Sequence, residues 1–199
     1  MEFVIEENEF TELEFNNYIK IITELSEIEL HRDTNNELLN DILLSSIIKK
    51  YEPDFIKTKK IKQLQMKTGK IWQIAIGNYI DFHDLGIGHE TGLDILSENR
   101  KISMELKNKY NTDNASSRKS NFNKLAAFKF NNPEYECIYG LINSKKPEGE
   151  IKTHIHNGVT IVEYSGMKLL NYVFGKKTYT IINTIRHIID KYYSEQGEL

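Results

Sequence analysis

From residue 90 onward the sequence changes from helical to alternating periodicity, and this switch constrains the fold more than any other feature. Gly92–Ser97 and Lys101–Lys107 read as two strands joined by a turn at Ser97-Glu98-Asn99-Arg100. Three short strands follow, near 135–143, 150–155 and 158–164. The last two are divided by Asn157-Gly158, a dipeptide that tolerates the left-handed backbone of a two-residue hairpin. Between the two groups a polar loop, 108–117, leads into a helix near 118–130 carrying Phe122, Leu125, Ala126 and Phe128. Two further helices are predicted, near 166–174 and 178–193. A central sheet with helices before and after it makes the chain α/β or α+β.

The region before residue 57 reads as two packing helices. Thr11-Glu12-Leu13-Glu14 fits a capping box, and Phe15, Ile19, Ile22 and Leu25 follow at helical spacing. After Asp33-Thr34-Asn35-Asn36, the pairs Leu38/Leu39, Ile42/Leu43 and Ile47/Ile48 recur every three to four residues, and Pro53 closes that helix. Residues 58–68 are basic and polar. The apolar run Ile71-Trp72-Gln73-Ile74-Ala75-Ile76 suits a strand or a helix equally. With no repeat, low-complexity tract or linker, the expectation is a single domain over 1–199: an acidic helical segment (1–56), a core (57–164) and C-terminal helices (165–199).

The formal charge of −3 conceals a split. Residues 1–56 carry 14 Asp/Glu against 4 Lys/Arg, and 57–199 carry 15 against 22. The stretch 99–129 is the most basic, with Arg100, Lys101, Lys107, Lys109, Arg118, Lys119, Lys124 and Lys129 opposed only by Glu105 and Asp113. Such a stretch attracts phosphates, or is simply a solvated face. No apolar run approaches the ~20 residues of a membrane span, and the N-terminus lacks the basic start of a signal peptide. The single Cys137 excludes an internal disulfide and a cysteine-rich zinc site, so a cytoplasmic setting is expected.

Asp94, Glu105 and Lys107 carry the chemistry. Side chains alternate along a strand, so Ser103, Glu105 and Lys107 share one face while Ile102, Met104 and Leu106 take the other. A turn centred between Glu98 and Asn99 sets Asp94 opposite Ser103, with Glu105 its diagonal neighbour on the same face. A one-residue slip would separate the carboxylates. Two such carboxylates suit a hard divalent cation such as Mg²⁺, and the lysine suits orientation of an attacking water or stabilisation of the attacked phosphate. Glu-x-Lys alone says little, because Glu150-Ile151-Lys152 repeats it on what reads as a solvated strand. Pro53-Asp54 is likewise too distant and follows a helix.

The arrangement Asp94…Glu105-Leu106-Lys107 resembles the active site of the PD-(D/E)xK nuclease superfamily, with Leu93 where many members have proline. The string from Met104 to Ser117, MELKNKYNTDNASS, resembles one branch, the type II restriction endonucleases that cut GGNCC. The similarity extends over residues 60–164. It implies an α/β restriction-endonuclease-like mixed sheet flanked by helices, and a helix over 71–80 leading into the hairpin. It further implies Mg²⁺ on Asp94 and Glu105, with the Leu106 carbonyl as a further ligand, and water orientation by Lys107. Cleavage of double-stranded DNA would leave 5′-phosphate and 3′-hydroxyl ends, and a palindromic target favours a homodimer. The following loop offers Asn108, Lys109, Asn111, Asn114, Ser116, Ser117, Arg118 and Lys119 as DNA contacts, joined by His89. A structure-specific repair nuclease or junction resolvase, and a catalytically silent DNA-binding module, are the alternatives.

Other features point elsewhere. His154 and His156 share a strand face but lack the cysteine or carboxylate cluster of a zinc site. Gly166 and Gly175-Lys176-Lys177-Thr178 imitate a phosphate loop with the wrong glycine spacing. Cys137 sits in an apolar strand as a core residue.

Overall fold

The computed structural model describes residues 58–86, 88–109 and 114–195. The two acidic helices expected before residue 57 therefore lie outside the described residues. A single helix, α1 (Thr58–Gly77), joins the basic 58–68 stretch to the ambiguous apolar run. Ile71, Trp72, Ile74 and Ile76 are all buried, which is why their spacing shows no clean amphipathic stripe. The helix must end where it does. A Cβ on Gly77 would lie 2.6 Å from the Asp84 backbone nitrogen, so the close approach of helix to sheet requires glycine.

Six strands form one mixed sheet in the order β1-β2-β3-β4-β6-β5. They are β1 (His83–Asp84), β2 (Ile95–Ser97), β3 (Ile102–Lys109), β4 (Glu136–Asn143), β5 (Ile151–His156) and β6 (Val159–Ser165). The β1–β2, β2–β3 and β5–β6 pairs are antiparallel, and β4 runs parallel to both β3 and β6. The helix α2 (Ala115–Asn131) forms the crossover between the parallel strands β3 and β4. The chain then runs through α3 (Gly166–Phe174), a short 3₁₀ turn and α4 (Thr178–Glu195). This is the expected α/β architecture.

Both faces of the sheet are covered, as a largely parallel centre demands. One face packs Met104, Ile138 and Ile142 against Trp72 of α1, Leu169 and Val173 of α3, and Ile185 and Ile189 of α4. The other packs Cys137, Tyr139, Leu141 and Ile161 against Phe122, Leu125 and Ala126 of α2. Cys137 is buried as expected and accepts a hydrogen bond from Ser103 Oγ at 3.1 Å. Asn157 and Gly158 take φ values of 50° and 79°, the left-handed pair of a two-residue hairpin, closing His156 on Val159. Among the described residues no helix is long and apolar enough to cross a membrane.

The hairpin register departs from expectation by two residues. Ser97 pairs with Ile102 and Ile95 with Met104, leaving Glu98–Lys101 as a four-residue loop. Lys101 takes φ 52°, a conformation its side chain does not advertise. Because the offset is even, the facing of β2 on β3 is preserved, and Asp94, just before β2, stands against Met104–Leu106, its N–H on the Met104 carbonyl and its carboxylate on the Leu106 N–H.

The Gly77–Asp84 contact is open to test. Gly77→Ala is expected to destabilise the protein by roughly 1–3 kcal/mol, because the clash is with backbone rather than a movable side chain. A melting temperature equal to that of the parent would contradict the close approach.

Candidate active site

Two strands and one helix converge on a pair of carboxylates. Asp94 lies immediately before β2, where its N–H donates to the Met104 carbonyl at 3.1 Å. Its Oδ2 accepts the Leu106 N–H at 2.7 Å, so the carboxylate is held by the backbone of the residue that follows Glu105. Glu105 is 2% exposed, pointing from β3 toward α2. Its Oε1 accepts a hydrogen bond from Lys107 Nζ at 2.6 Å and stands 3.9 Å from Lys124 Nζ. Its Oε2 is buried and makes no hydrogen bond. A buried carboxylate oxygen without a donor is costly, and such atoms mark places where a ligand or cation completes the structure.

The electrostatics follow from burial. Burial holds the Asp94 carboxyl above the usual aspartate range, against the Leu106 N–H and the charges of Lys107 and Lys124, with the Asp84 charge adding to the rise. Burial also raises the Glu105 carboxyl, followed by the charge of Asp94, and the contact with Lys107 only partly offsets them. Asp84 itself is satisfied by Lys70 Nζ at 3.1 Å, Gln73 Nε2 at 2.8 Å and the Gly86 N–H at 2.9 Å. It ties α1 to the loop entering the site. Among the described residues no three His, Cys, Asp or Glu side chains group as a metal cluster, so any cation here meets two carboxylates plus water and substrate oxygens. That composition suits Mg²⁺, which keeps much of its water.

The residues expected to contact DNA divide into distinct groups. Asn108 and Lys109 are not in a loop: they extend β3, which runs two residues beyond the expected end. Asn108 donates to Thr68 Oγ1 at 2.9 Å and accepts from Asn143 Nδ2 at 2.8 Å, and Lys109 is 7% exposed. Asn108 thereby joins α1, β3 and β4, and Lys109 pairs with Asn143 of β4. Asn111 lies outside the described residues. Asn114 caps α2, its side chain accepting the Ser117 N–H at 2.8 Å, so the helix starts earlier than expected and takes Ser116 and Ser117 into its first turn. Asn114, Ser116, Ser117 and Lys119 are exposed. Arg118 instead forms an ion pair with the buried Glu163 and stacks 5.2 Å from the Tyr139 ring centre. His89 sits in the turn before Asp94, its Nδ1 2.9 Å from Thr91 Oγ1.

Most cations along 99–129 have partners within the fold, although Arg100, Lys101 and Lys119 are exposed. Arg100 donates to the Tyr172 carbonyl at 3.3 Å and stacks on Phe82, Lys101 lies over Tyr135, and Lys129 donates to the carbonyls of Pro133 and Tyr135. His154 also joins Glu163, its Nε2 3.0 Å from Oε2, and packs edge-on against Phe122. The two strand histidines thus belong to a buried carboxylate and an aromatic ring. Glu150 and Lys152, the second Glu-x-Lys, are solvated as expected and pair with each other at 2.8 Å. Lys124 is the site residue that sequence reasoning passed over. Its one signal is its place on α2, three residues after the buried Asn121 and one before the buried Leu125.

Comparison with known proteins extends the reading beyond the catalytic hairpin. No curated protein matches the chain. The family model described as the Eco47II restriction endonuclease matches residues 4–195, taking in the N-terminal region where the sequence alone showed no resemblance. The chain belongs to the Eco47II restriction endonuclease family, and is accordingly a site-specific deoxyribonuclease whose reaction is type II restriction cleavage of DNA.

Proposed function

We propose that Asp94, Glu105 and Lys107 form the active site of a Mg²⁺-dependent endonuclease that hydrolyses both strands of a GGNCC-type target to 5′-phosphate and 3′-hydroxyl ends. The observation that carries this reading is the buried, unbonded Glu105 Oε2 on a carboxylate that feels the charge of Asp94 and is hydrogen-bonded to Lys107. Asp94, Glu105 and the Leu106 carbonyl would hold the cation, which when bound supplies Lewis-acid polarisation of the phosphate and a more acidic water. Glu105 is kept rigid by burial, and Asp94 by the Leu106 N–H. Lys107, partly exposed on the same strand face, orients the attacking water and carries positive charge to the phosphate. In-line attack on phosphorus would break the bond to the 3′-oxygen of the preceding nucleotide.

The exposed first turns of α2, with Asn114, Ser116, Ser117 and Lys119, are the part of the expected DNA-contacting segment best placed to reach DNA. His89 and Arg118 join this reading as positioning groups beside that surface. One domain spanning the chain, working as a twofold dimer, would place one active site on each strand. The family match favours restriction over a repair or junction-resolving role.

Three outcomes check the reading. Glu105→Ala and Lys107→Ala are each expected to lower cleavage by about 10²–10⁴-fold while target binding persists. Variants that cut as fast as the parent would remove the active site from this hairpin. Second, protons compete with the cation for carboxylates whose affinity for protons is raised by burial. Activity should therefore fall on the acid side above the usual carboxylate range, and more Mg²⁺ should move that limb to lower pH. An acid limb indifferent to Mg²⁺ would count against cation binding by this pair.

The third concerns stability without metal. A carboxyl whose folded pKa is raised costs stability once ionised, and this loss accrues as pH rises through its unfolded and then its folded value. Asp94→Asn should thus raise the melting temperature of the cation-free protein near neutral pH, by about 2–4 °C for a gain of ~1 kcal/mol, while abolishing cutting. A lower melting temperature would show that the ionised carboxylate stabilises this corner.

A further inference from the structure

We propose that Lys124 is a second functional lysine of the site, one that binds the phosphate being cut. The proposal rests on the assignment of Asp94 and Glu105 to the active site. Lys124 comes from α2, a different element from Lys107, yet its ammonium stands 3.9 Å from the same Glu105 oxygen. At 2.6 Å Lys107 is hydrogen-bonded to that oxygen, whereas the Lys124 separation is too long for a hydrogen bond. The side chain is 39% exposed, so it reaches solvent at the edge of a site whose glutamate is buried. Its stem passes Gly92, where a Cβ would sit 3.5 Å from both Cδ and Cε of Lys124. An ammonium held on a short tether beside Asp94 and Glu105, and only loosely paired there, is arranged to transfer to another anion arriving at the same point.

The charge balance gives the reason. Two carboxylates and two ammonium groups are neutral together. A divalent cation on the carboxylates makes the cluster positive by two, and a phosphodiester oxygen is the anion that relieves this. The less tightly held ammonium gives up Glu105 most readily. A purely packing role for Lys124 would require only its methylene stem against Gly92, which methionine reproduces.

The test compares Lys124→Met, Lys124→Arg and the parent on a short duplex carrying one mapped cut site, with folding checked by circular dichroism. Single-turnover cleavage should fall about 10- to 100-fold in Lys124→Met and largely return in Lys124→Arg. Binding is read by fluorescence anisotropy with Mg²⁺ in a Lys107→Ala background. There, Lys124→Met should weaken affinity and reduce the slope of log K against log salt by about 1. Replacing the phosphate at the cut position by a neutral methylphosphonate should abolish the difference in affinity that Lys124→Met causes in that background. Equal cleavage by Lys124→Met and the parent, or a binding loss undiminished on methylphosphonate DNA, would overturn the proposal. If Lys107→Ala and Glu105→Ala cut normally while Lys124→Met does not, the failure lies in the hairpin assignment instead. Should Lys124→Met misfold, Lys124→Gln takes its place in the same comparisons.

Discussion

The bond from the Leu106 N–H to Asp94 Oδ2 is the point on which the site depends. It fixes the carboxylate to the backbone of β3 one residue beyond Glu105, where β2 has not yet begun and ladder pairing alone would leave the side chain free. Burial first, and then the charge of Asp94, pushes the Glu105 carboxyl up in this partly dry corner. The fold tolerates this because β3 is anchored on both sides. It pairs with β2 along one edge and, in parallel, with β4 along the other, from Ile102 to Lys109. The energy of that ladder and of the core beneath it holds the charged pair in place.

A second buried carboxylate sets the position of α2. Glu163 is 5% exposed and is met by Arg118 from the helix and His154 from the neighbouring strand. Phe122, one turn further along, packs against Tyr139 at a ring distance of 5.1 Å. These contacts fix the helix at one end, and Lys124, six residues after Arg118, reaches Glu105 from the position they impose. The first turn of α2 is exposed, and its third turn brings Lys124 to Glu105.

The facing of Asp94, Glu105 and Lys107 was legible because strand periodicity is local. The register was not. Its two-residue shift comes from Lys101 in a left-handed conformation, where glycine or asparagine would have given a signal. Likewise, Asn108 and Lys109 read as loop because their partners are remote: Thr68 lies 40 positions away, and Asn143 belongs to a parallel strand reached through α2. The helix α1 was ambiguous because it is buried around most of its circumference, so neither helical nor alternating periodicity emerged. Its completion by the 58–68 stretch needed the tertiary packing of Trp72 and Ile76. Lys124 was visible only as one more cation in a basic stretch, since Glu105 stands 19 positions away on a different element.

Charge density in a sequence and charge on a surface are different quantities. The 99–129 stretch holds eight basic residues, and the fold commits most of them to internal partners: Arg100 to carbonyls and Phe82, Lys101 to Tyr135, Arg118 to Glu163, Lys107 and Lys124 to Glu105, and Lys129 to carbonyls. Those guanidinium and ammonium groups satisfy backbone carbonyls at element ends, lie over aromatic rings and pair with buried carboxylates. Lys119 is exposed at the start of α2, and Lys107 and Lys124 are partly exposed where they meet Glu105. On the proposed reading, attraction for phosphate comes from the few positioned charges beside the carboxylates, and the mildly acidic average of the whole chain has little bearing on it.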